Sequence, residues 1–151
     1  MSSFALNQDA IKAWCVRQNL NYLVQEQARM VLIPRGANEL PLRLIDRPER
    51  GMMTWGVVLP FLVPADRRSE VGAALNLLNS NSFMGAWTLN TQTGEVYFRV
   101  TVPTTGVTYT DEAMMFLARV LSGTVDPVAG ALSRIATEGQ PASLVLAAAR
   151  P

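Results

Sequence analysis

The stretch that most constrains the fold is Asn81–Pro103, which is typical of two strands folded back on each other. Apolar residues occupy every second position of its second half: Val96, Phe98, Val100 and Val102. This alternation predicts an antiparallel strand with one buried face. The first half, with Trp87 pointing inward, is its partner, and Gly94 in the connection supplies the positive φ that such a turn requires. The sequence therefore predicts a β-hairpin around which the other elements are organised.

Helices and further strands are expected on both sides of the hairpin. Helical periodicity covers 7–18, 66–78 and 110–121, and Asp126 followed by Pro127 marks a fresh helix start after Gly123. Apolar and β-branched runs predict one or two strands over 22–34, with an irregularity near 27–28. They also predict a short edge strand over 40–45 and a mostly buried strand over 52–63.

The order of elements, α-β-β-β-α-β-β-α(-α), predicts an α+β fold with an antiparallel sheet of about five strands packed with helices. A length of 151 residues suits a single domain, 1–151, that buries enough apolar surface without a metal or a disulfide. Residues 140–151 leave three alternatives open, which are a short helix, a docking tail and disorder.

Composition limits the classes of partner. The net charge of +1 gives no overall field that favours nucleic acid or an anionic membrane. Charged residues make up 17%, fewer than the roughly 25% of typical soluble domains. A second copy covering part of the surface would account for this, and so would a surface solvated by small polar residues. The chain starts with no basic leader and has no apolar run of ~18 residues. We therefore expect a cytoplasmic homodimer without membrane contact.

No residues form a recognisable catalytic constellation. Histidine is absent, and Cys15 is the only cysteine, in an apolar helical stripe beside Trp14, which indicates a buried, unreactive thiol. The glycines do not form a phosphate-binding loop. A carboxylate pair such as Glu26 with Glu95 is the remaining enzymatic alternative, although solvated strand faces explain both residues better. The sequence predicts a protein that is not an enzyme and has no catalytic residue, metal or cofactor.

Nucleic-acid binding is the alternative that the arginines suggest. The candidate contacts are six arginines, most of them in the loop and strand before the apolar run: Arg35, Arg43, Arg47, Arg50, Arg67 and Arg68. Tyr97 beside Arg99 on the outer hairpin face adds a stacking group. Asp46, Glu49 and other acidic residues interleave with these arginines, so intramolecular pairing explains them better.

Protein binding is the preferred interpretation. The predicted contact residues are methionines and their neighbours, together with the outer face of the hairpin: Met52, Met53, Trp55, Tyr97 and Arg99. Met114 and Met115 form a second candidate group. Flexible methionines suit surfaces that fit different partners, but a place in the core explains most of these residues better. An exposed strand edge that accepts a partner's strand is a further route.

The segment LNLLNSNSFMGAWTLNTQTGEVYFRVTVP resembles the YbjN-like family of bacterial proteins. The resemblance rests on a helix ending in Asn, a Gly-containing turn and the aromatic-Arg pair Phe98-Arg99, and it extends roughly over 20–139. It implies a fold similar to the chaperones of type III secretion systems, which are small, often dimeric and bind other polypeptides without catalysis. It also implies a regulatory role in stress or sensory responses. No functional residue of the family matches a position of this sequence.

Overall fold

The computed structural model of the chain describes residues 2–149. Eight strands and four α-helices follow one another: β1 Phe4–Ala5, α1 Gln8–Arg17, β2 Leu23–Gln25, β3 Met30–Ile33, β4 Leu42–Arg47, β5 Met52–Leu62, α2 Arg68–Ser80, β6 Ala86–Leu89, β7 Glu95–Pro103, β8 Thr108–Tyr109, α3 Asp111–Thr137 and α4 Leu144–Ala148. Short 3₁₀ turns precede β3, β5 and α2. The predicted α+β class with antiparallel strands is confirmed.

The main sheet has six strands in the order β2-β3-β4-β5-β7-β6, and β1 pairs separately with β8. It has one strand more than predicted because the segment 22–34 is divided into β2 and β3 by a 3₁₀ turn that ends at Arg29, whose φ is 50°. The strand β4 lies between β3 and β5, so the prediction of an edge strand there is wrong. The predicted hairpin is confirmed as β6 and β7, with Trp87 opposite Phe98.

The described chain divides into two compact units, with the divisions inside β5, β7 and α3. The first unit comprises the chain up to Val57 together with Val100–Leu121. Its core lies where α1 packs on the inward face of the strands, with the rings of Trp14 and Trp55 edge to face at 6.0 Å. The prediction of one domain over 1–151 stays a prediction.

The second unit comprises Val58–Arg99 and the described residues from Ser122 onward. Its hairpin is packed through Trp87 and Phe98, whose rings lie 5.3 Å apart. Gly94 in the hairpin turn has a φ of +83°, as the sequence predicted, and its carbonyl accepts a hydrogen bond from the Val63 N–H at 2.8 Å. The turn is therefore fixed against the end of β5.

The segment after α3 is held by side chains near the start of α2. The Arg67 guanidinium donates to the carbonyls of Ile135 at 3.0 Å and Gln140 at 2.7 Å, and the Glu70 carboxylate accepts from the Ala142 N–H at 2.6 Å. Val145 of α4 is fully buried. Of the three alternatives for the end of the chain, the structure shows a short docked helix over Leu144–Ala148, while residues 150 and 151 lie outside the described range.

The helix α3 runs without interruption through Gly123 and Pro127, so the predicted break between two helices is wrong. Its buried residues follow one another at three or four positions along its whole length: Met114, Leu117, Leu121, Val125, Val128, Leu132 and Ile135. This continuous apolar stripe outweighs the missing N–H of Pro127, which costs about 3 kcal/mol in a helix interior. By length and composition alone α3 could also cross a membrane, as many core helices of soluble proteins could, and the absence of membrane contact stays a prediction.

Candidate functional site

One face of the sheet in the first unit is partly open to solvent, although Met30, which lies opposite Ile45 on this side, is only 7% exposed. We call the following six side chains the outer face: Leu32, Arg43, Ile45, Arg47, Met52 and Thr54. They are brought together by the strand register, which sets Leu32 opposite Arg43, Ile45 opposite Thr54, and Arg47 opposite Met52. Residues that are directly opposite in an antiparallel pair point to the same side of the sheet. All six are partly exposed.

The opposite face of the same strands is completely buried where it meets α1. Met53 and Trp55 are 0% exposed, and so is Met114 on α3. The prediction that places these three residues on a contact surface is wrong, because alternate residues of β5 face opposite sides and Met114 belongs to the buried stripe of α3. Met52 and Met115 are partly exposed, and for them partner binding stays a prediction.

Two arginines of the outer face have free guanidinium groups. Arg43 and Arg47 form no salt bridge or hydrogen bond with any other residue in the range 2–149. Asp46 lies between them in sequence, but strand alternation turns it to the opposite side. No carboxylate belongs to the outer face, so the positive charge there is not neutralised by the part of the chain that the structure describes.

Three of the six arginines predicted to contact nucleic acid are used inside the protein. Arg35 donates to the Leu40 carbonyl at 2.6 Å, and Arg67 binds two carbonyls at the end of α3. Arg68 donates to the carbonyls of Val63 at 3.1 Å and Thr91 at 2.9 Å. These bonds hold loops in place, because each guanidinium satisfies carbonyls that no ladder pairs. The prediction of nucleic-acid contact therefore depends on Arg43, Arg47 and the exposed Arg50.

The outer side of the hairpin carries the predicted pair Tyr97 and Arg99 in the second unit. The guanidinium of Arg99 lies 5.7 Å from the centre of the Tyr97 ring, a cation–π distance. In the register, Tyr97 is opposite Thr88 and Arg99 is opposite Ala86 of β6. The structure thus brings these two residues together, and their contact with a partner stays a prediction.

The two edges of the main sheet differ. At β6, the Asn79 side chain accepts from the Trp87 N–H at 2.8 Å and donates to the Trp87 carbonyl at 3.1 Å. The Asn79 amide therefore satisfies the main-chain N–H and C=O of Trp87 in the way that a neighbouring strand would. At the β2 edge, no hydrogen bond joins the main chain of Leu23–Gln25 to any described residue outside β3, and Leu23 is 60% exposed. The main chain at the β6 edge is therefore hydrogen-bonded at Trp87, whereas the β2 edge is open to pairing with another strand.

Sequence reasoning missed the role of Asn79 and the exposure of Phe83. Asn79 lies near the end of α2, where an asparagine commonly ends a helix. Only the position of β6 beside α2 in the structure shows that its side-chain amide binds the main chain of Trp87. Phe83 is fully exposed in the loop before β6 and belongs to no periodic pattern. No sequence pattern distinguishes Asn79 or Phe83 from residues that only form a helix end or a loop.

The titratable groups with shifted pKa values are few and lie away from the outer face. Hydrogen bonds from Arg17, the shortest 2.7 Å, hold the pKa of Asp111 below its usual range. Burial raises the pKa of the Cys15 thiol to about 11, and the thiol is fully buried as the sequence predicted. Burial also raises the pKa of Tyr109. Residues 2–149 contain no group of three or more His, Cys, Asp or Glu placed to hold a metal ion.

Several solved structures share this fold. The crystal structure of YbjN from E. coli, described as a putative transcription regulator, has a TM-score of 0.70 and 13% sequence identity, with 91% of this chain and 97% of that chain covered. An uncharacterized protein from Methanothermobacter thermautotrophicus has a TM-score of 0.61 and 12% identity, with 87% of this chain and 99% of that chain covered. Identities this low establish the fold alone. The resemblance to type III secretion chaperones stays a prediction.

The sequence itself was compared with family profiles and with curated proteins. No curated protein matches the chain. Residues 7–126, well over half of the chain, match the profile of the YbjN family, described as "Putative bacterial sensory transduction regulator". The match includes α2 and the hairpin, on which the resemblance in the sequence was based, and most of α3. The chain belongs to the YbjN family.

Proposed function

We propose that this YbjN-family protein is a non-enzymatic, cytoplasmic regulator that works by binding another protein, as an adaptor or chaperone in a stress response. The observation that carries the proposal is the outer face. There, the apolar side chains of Leu32, Ile45 and Met52 stay partly exposed next to two arginines without intramolecular partners. Covering the apolar groups of such a sheet face and neutralising its charges lowers the free energy, which favours binding of another surface.

We further propose that the protein acts as a homodimer. The open β2 edge supports this proposal, because its unpaired main-chain groups and the exposed Leu23 favour pairing with a second strand. The low charged fraction of 17% supports it too, since part of such a surface is suited to burial between two copies.

Nucleic-acid binding is the second candidate function. It is favoured by Arg43 and Arg47, which are free to bind phosphates, and by the stacked pair of Tyr97 and Arg99. It is weakened by the internal bonds of Arg35, Arg67 and Arg68, which leave fewer cations for a backbone contact than the sequence suggested.

Affinity capture of the tagged protein from lysate of its source organism, with and without nuclease, tests the function. We expect one or two stoichiometric proteins that resist nuclease and that bind again when both partners are purified. Loss of all captured protein on nuclease treatment would refute protein binding and favour the second candidate. Light scattering tests the homodimer separately, and a monomer at high micromolar concentration would contradict it.

A further inference from the structure

We propose that the outer face of the first unit binds an acidic amphipathic helix of the partner protein. The inference rests on the proposed protein binding and names the surface and the chemistry of its ligand. It follows from three properties of the outer face, which are the spacing of its charges, its lack of free main-chain groups and the apolar residues between the charges.

The charges set the spacing of the ligand's acidic groups. Arg43 and Arg47 lie on the same side of β4 with Ile45 between them. Four residues of a strand span about 13 Å. Neither arginine has a partner among residues 2–149, and the outer face contains no carboxylate. A complementary ligand therefore presents two carboxylates about 13 Å apart, with no positive charge between them.

The main chain of the ligand must satisfy its own hydrogen bonds. The strand β4 is paired on both sides, by β3 and by β5, so its N–H and C=O groups are used within the sheet. A segment that lies over this face gains no main-chain partner there, unlike one that adds to an edge. An extended peptide would leave its own polar groups unpaired against apolar side chains, whereas a helix pairs them internally. The geometry thus favours a helix.

The helical repeat fits the spacing of the two arginines. Residues i and i+8 of a helix lie about 80° apart around the axis, within one amphipathic face, and about 12 Å apart along it, with i+4 halfway between them. Acidic residues at these two positions reach Arg43 and Arg47, and an apolar residue at i+4 covers Ile45 between them. Leu32 beside Arg43 and Met52 beside Arg47 widen the apolar contact, and the flexible Met52 adapts to the shape of the helix.

A single-stranded nucleic acid fits the outer face less well. Such ligands bind by stacking bases on aromatic rings along a continuous basic groove. The outer face has no aromatic residue, and its two cations are separated by the apolar Ile45. A single strand carries one phosphate for every nucleotide, so two isolated cations would pair with few of them.

The test uses the full chain and synthetic, fluorescein-labelled helical peptides. The first peptide is Ala-based with Glu at i and i+8 and Leu at i+4; the second has the same composition with Glu moved to the opposite side; the third has Gln in place of Glu. Fluorescence anisotropy measures their binding. A labelled oligo(dT) strand tests the nucleic-acid alternative under the same conditions.

Two double variants distinguish the effect of the outer-face arginines on binding from the effect of the protein's net charge. Arg43→Gln with Arg47→Gln removes the two charges of the outer face. Arg119→Gln with Arg134→Gln makes the same change in net charge at exposed positions of α3, outside the outer face. Circular dichroism confirms that each variant folds, and all measurements are repeated at higher salt, which weakens exposed ion pairs.

We expect the first peptide to bind the wild type more tightly than the other two. Its affinity should fall about tenfold in the outer-face variant and stay unchanged in the control variant, as expected for two exposed ion pairs. Equal losses in both variants, equal binding of all three peptides, or no peptide binding would overturn the proposal. If the wild type and the control variant bind oligo(dT) and the outer-face variant does not, the outer face binds nucleic acid and the proposal is overturned.

The natural partner distinguishes failure of this inference from failure of protein binding. If the nuclease-resistant partner binds the outer-face variant as tightly as the wild type, the protein binds its partner through another surface, and this inference alone is refuted. If no nuclease-resistant partner is captured, the proposed protein binding fails as well.

Discussion

Replacing Gly94 with alanine should destabilise the protein more than the same exchange at Gly106, which lies in a turn with a similar φ. Gly94 has a φ of +83°, and the added Cβ would contact the Val63 carbonyl oxygen more closely than real Cβ atoms approach any atom. It would also lie 2.9 Å from the Val63 nitrogen. The Val63 main chain cannot move away without breaking its 2.8 Å hydrogen bond to the Gly94 carbonyl.

Three contributions determine the expected loss of stability. The left-handed conformation costs a non-glycine residue about 1–2 kcal/mol. The smaller conformational freedom of alanine in the unfolded chain returns about 0.4–1 kcal/mol. Loss of the hydrogen bond from Val63, together with displacement of the main chain, adds about 1–3 kcal/mol. We therefore expect Gly94→Ala to lower the free energy of unfolding by about 2–4 kcal/mol.

Gly106→Ala is the matched control. Gly106 has a similar φ of +71°, but nothing lies within 4 Å of an added Cβ. Only the conformational contributions apply there, so we expect a loss of about 0.5–1 kcal/mol. Urea unfolding followed by circular dichroism measures both values, and the larger loss should lower the midpoint by about 1–2 M. Equal losses for the two variants would refute the steric argument.

Three further predictions concern single side chains. Gly130→Ala, at an exposed position of α3 with open space around the added Cβ, should raise the free energy of unfolding by about 1 kcal/mol, and an unchanged urea midpoint would contradict this. Cys15, whose pKa is raised to about 11 by burial, should resist iodoacetamide in the native protein and react after unfolding in urea, which mass spectrometry detects. Arg17 lowers the pKa of Asp111, so the stabilisation by this ion pair is present above the unfolded pKa of about 4 and is lost as the pH falls. The thermal midpoints of wild type and Asp111→Asn should accordingly differ near neutral pH and converge in acid, whereas a constant difference would argue against the linkage.

The hairpin could be predicted from sequence because a half-buried strand shows its two faces as alternation, as in Val96 and Phe98. The continuity of α3 could not, since Asp126 and Pro127 are strong local start signals that only packing along the whole helix overrides. The two-residue strands β1 and β8 were missed for a related reason, because Phe4 and Tyr109 pair only after the chain has folded.

The candidate site shows the same limit of local patterns. In β5 both sets of alternate residues are mostly apolar, so the sequence did not show whether Met52 or Met53 faces the solvent. The register with β4 and the packing of α1 decide this, and neither is a local property. Arg43 and Arg67 likewise look alike in sequence, but one has a free guanidinium and the other holds two carbonyls at the end of α3.

The amide of Asn79 limits how copies of this protein can join. Growth into a fibre requires each copy to offer two edges, one that receives the previous copy and one that receives the next. Asn79 already occupies the outward N–H and C=O of Trp87 in the middle of β6. A strand of another copy that added along β6 would therefore meet no free main-chain partner at Trp87, whereas β2 presents no such block.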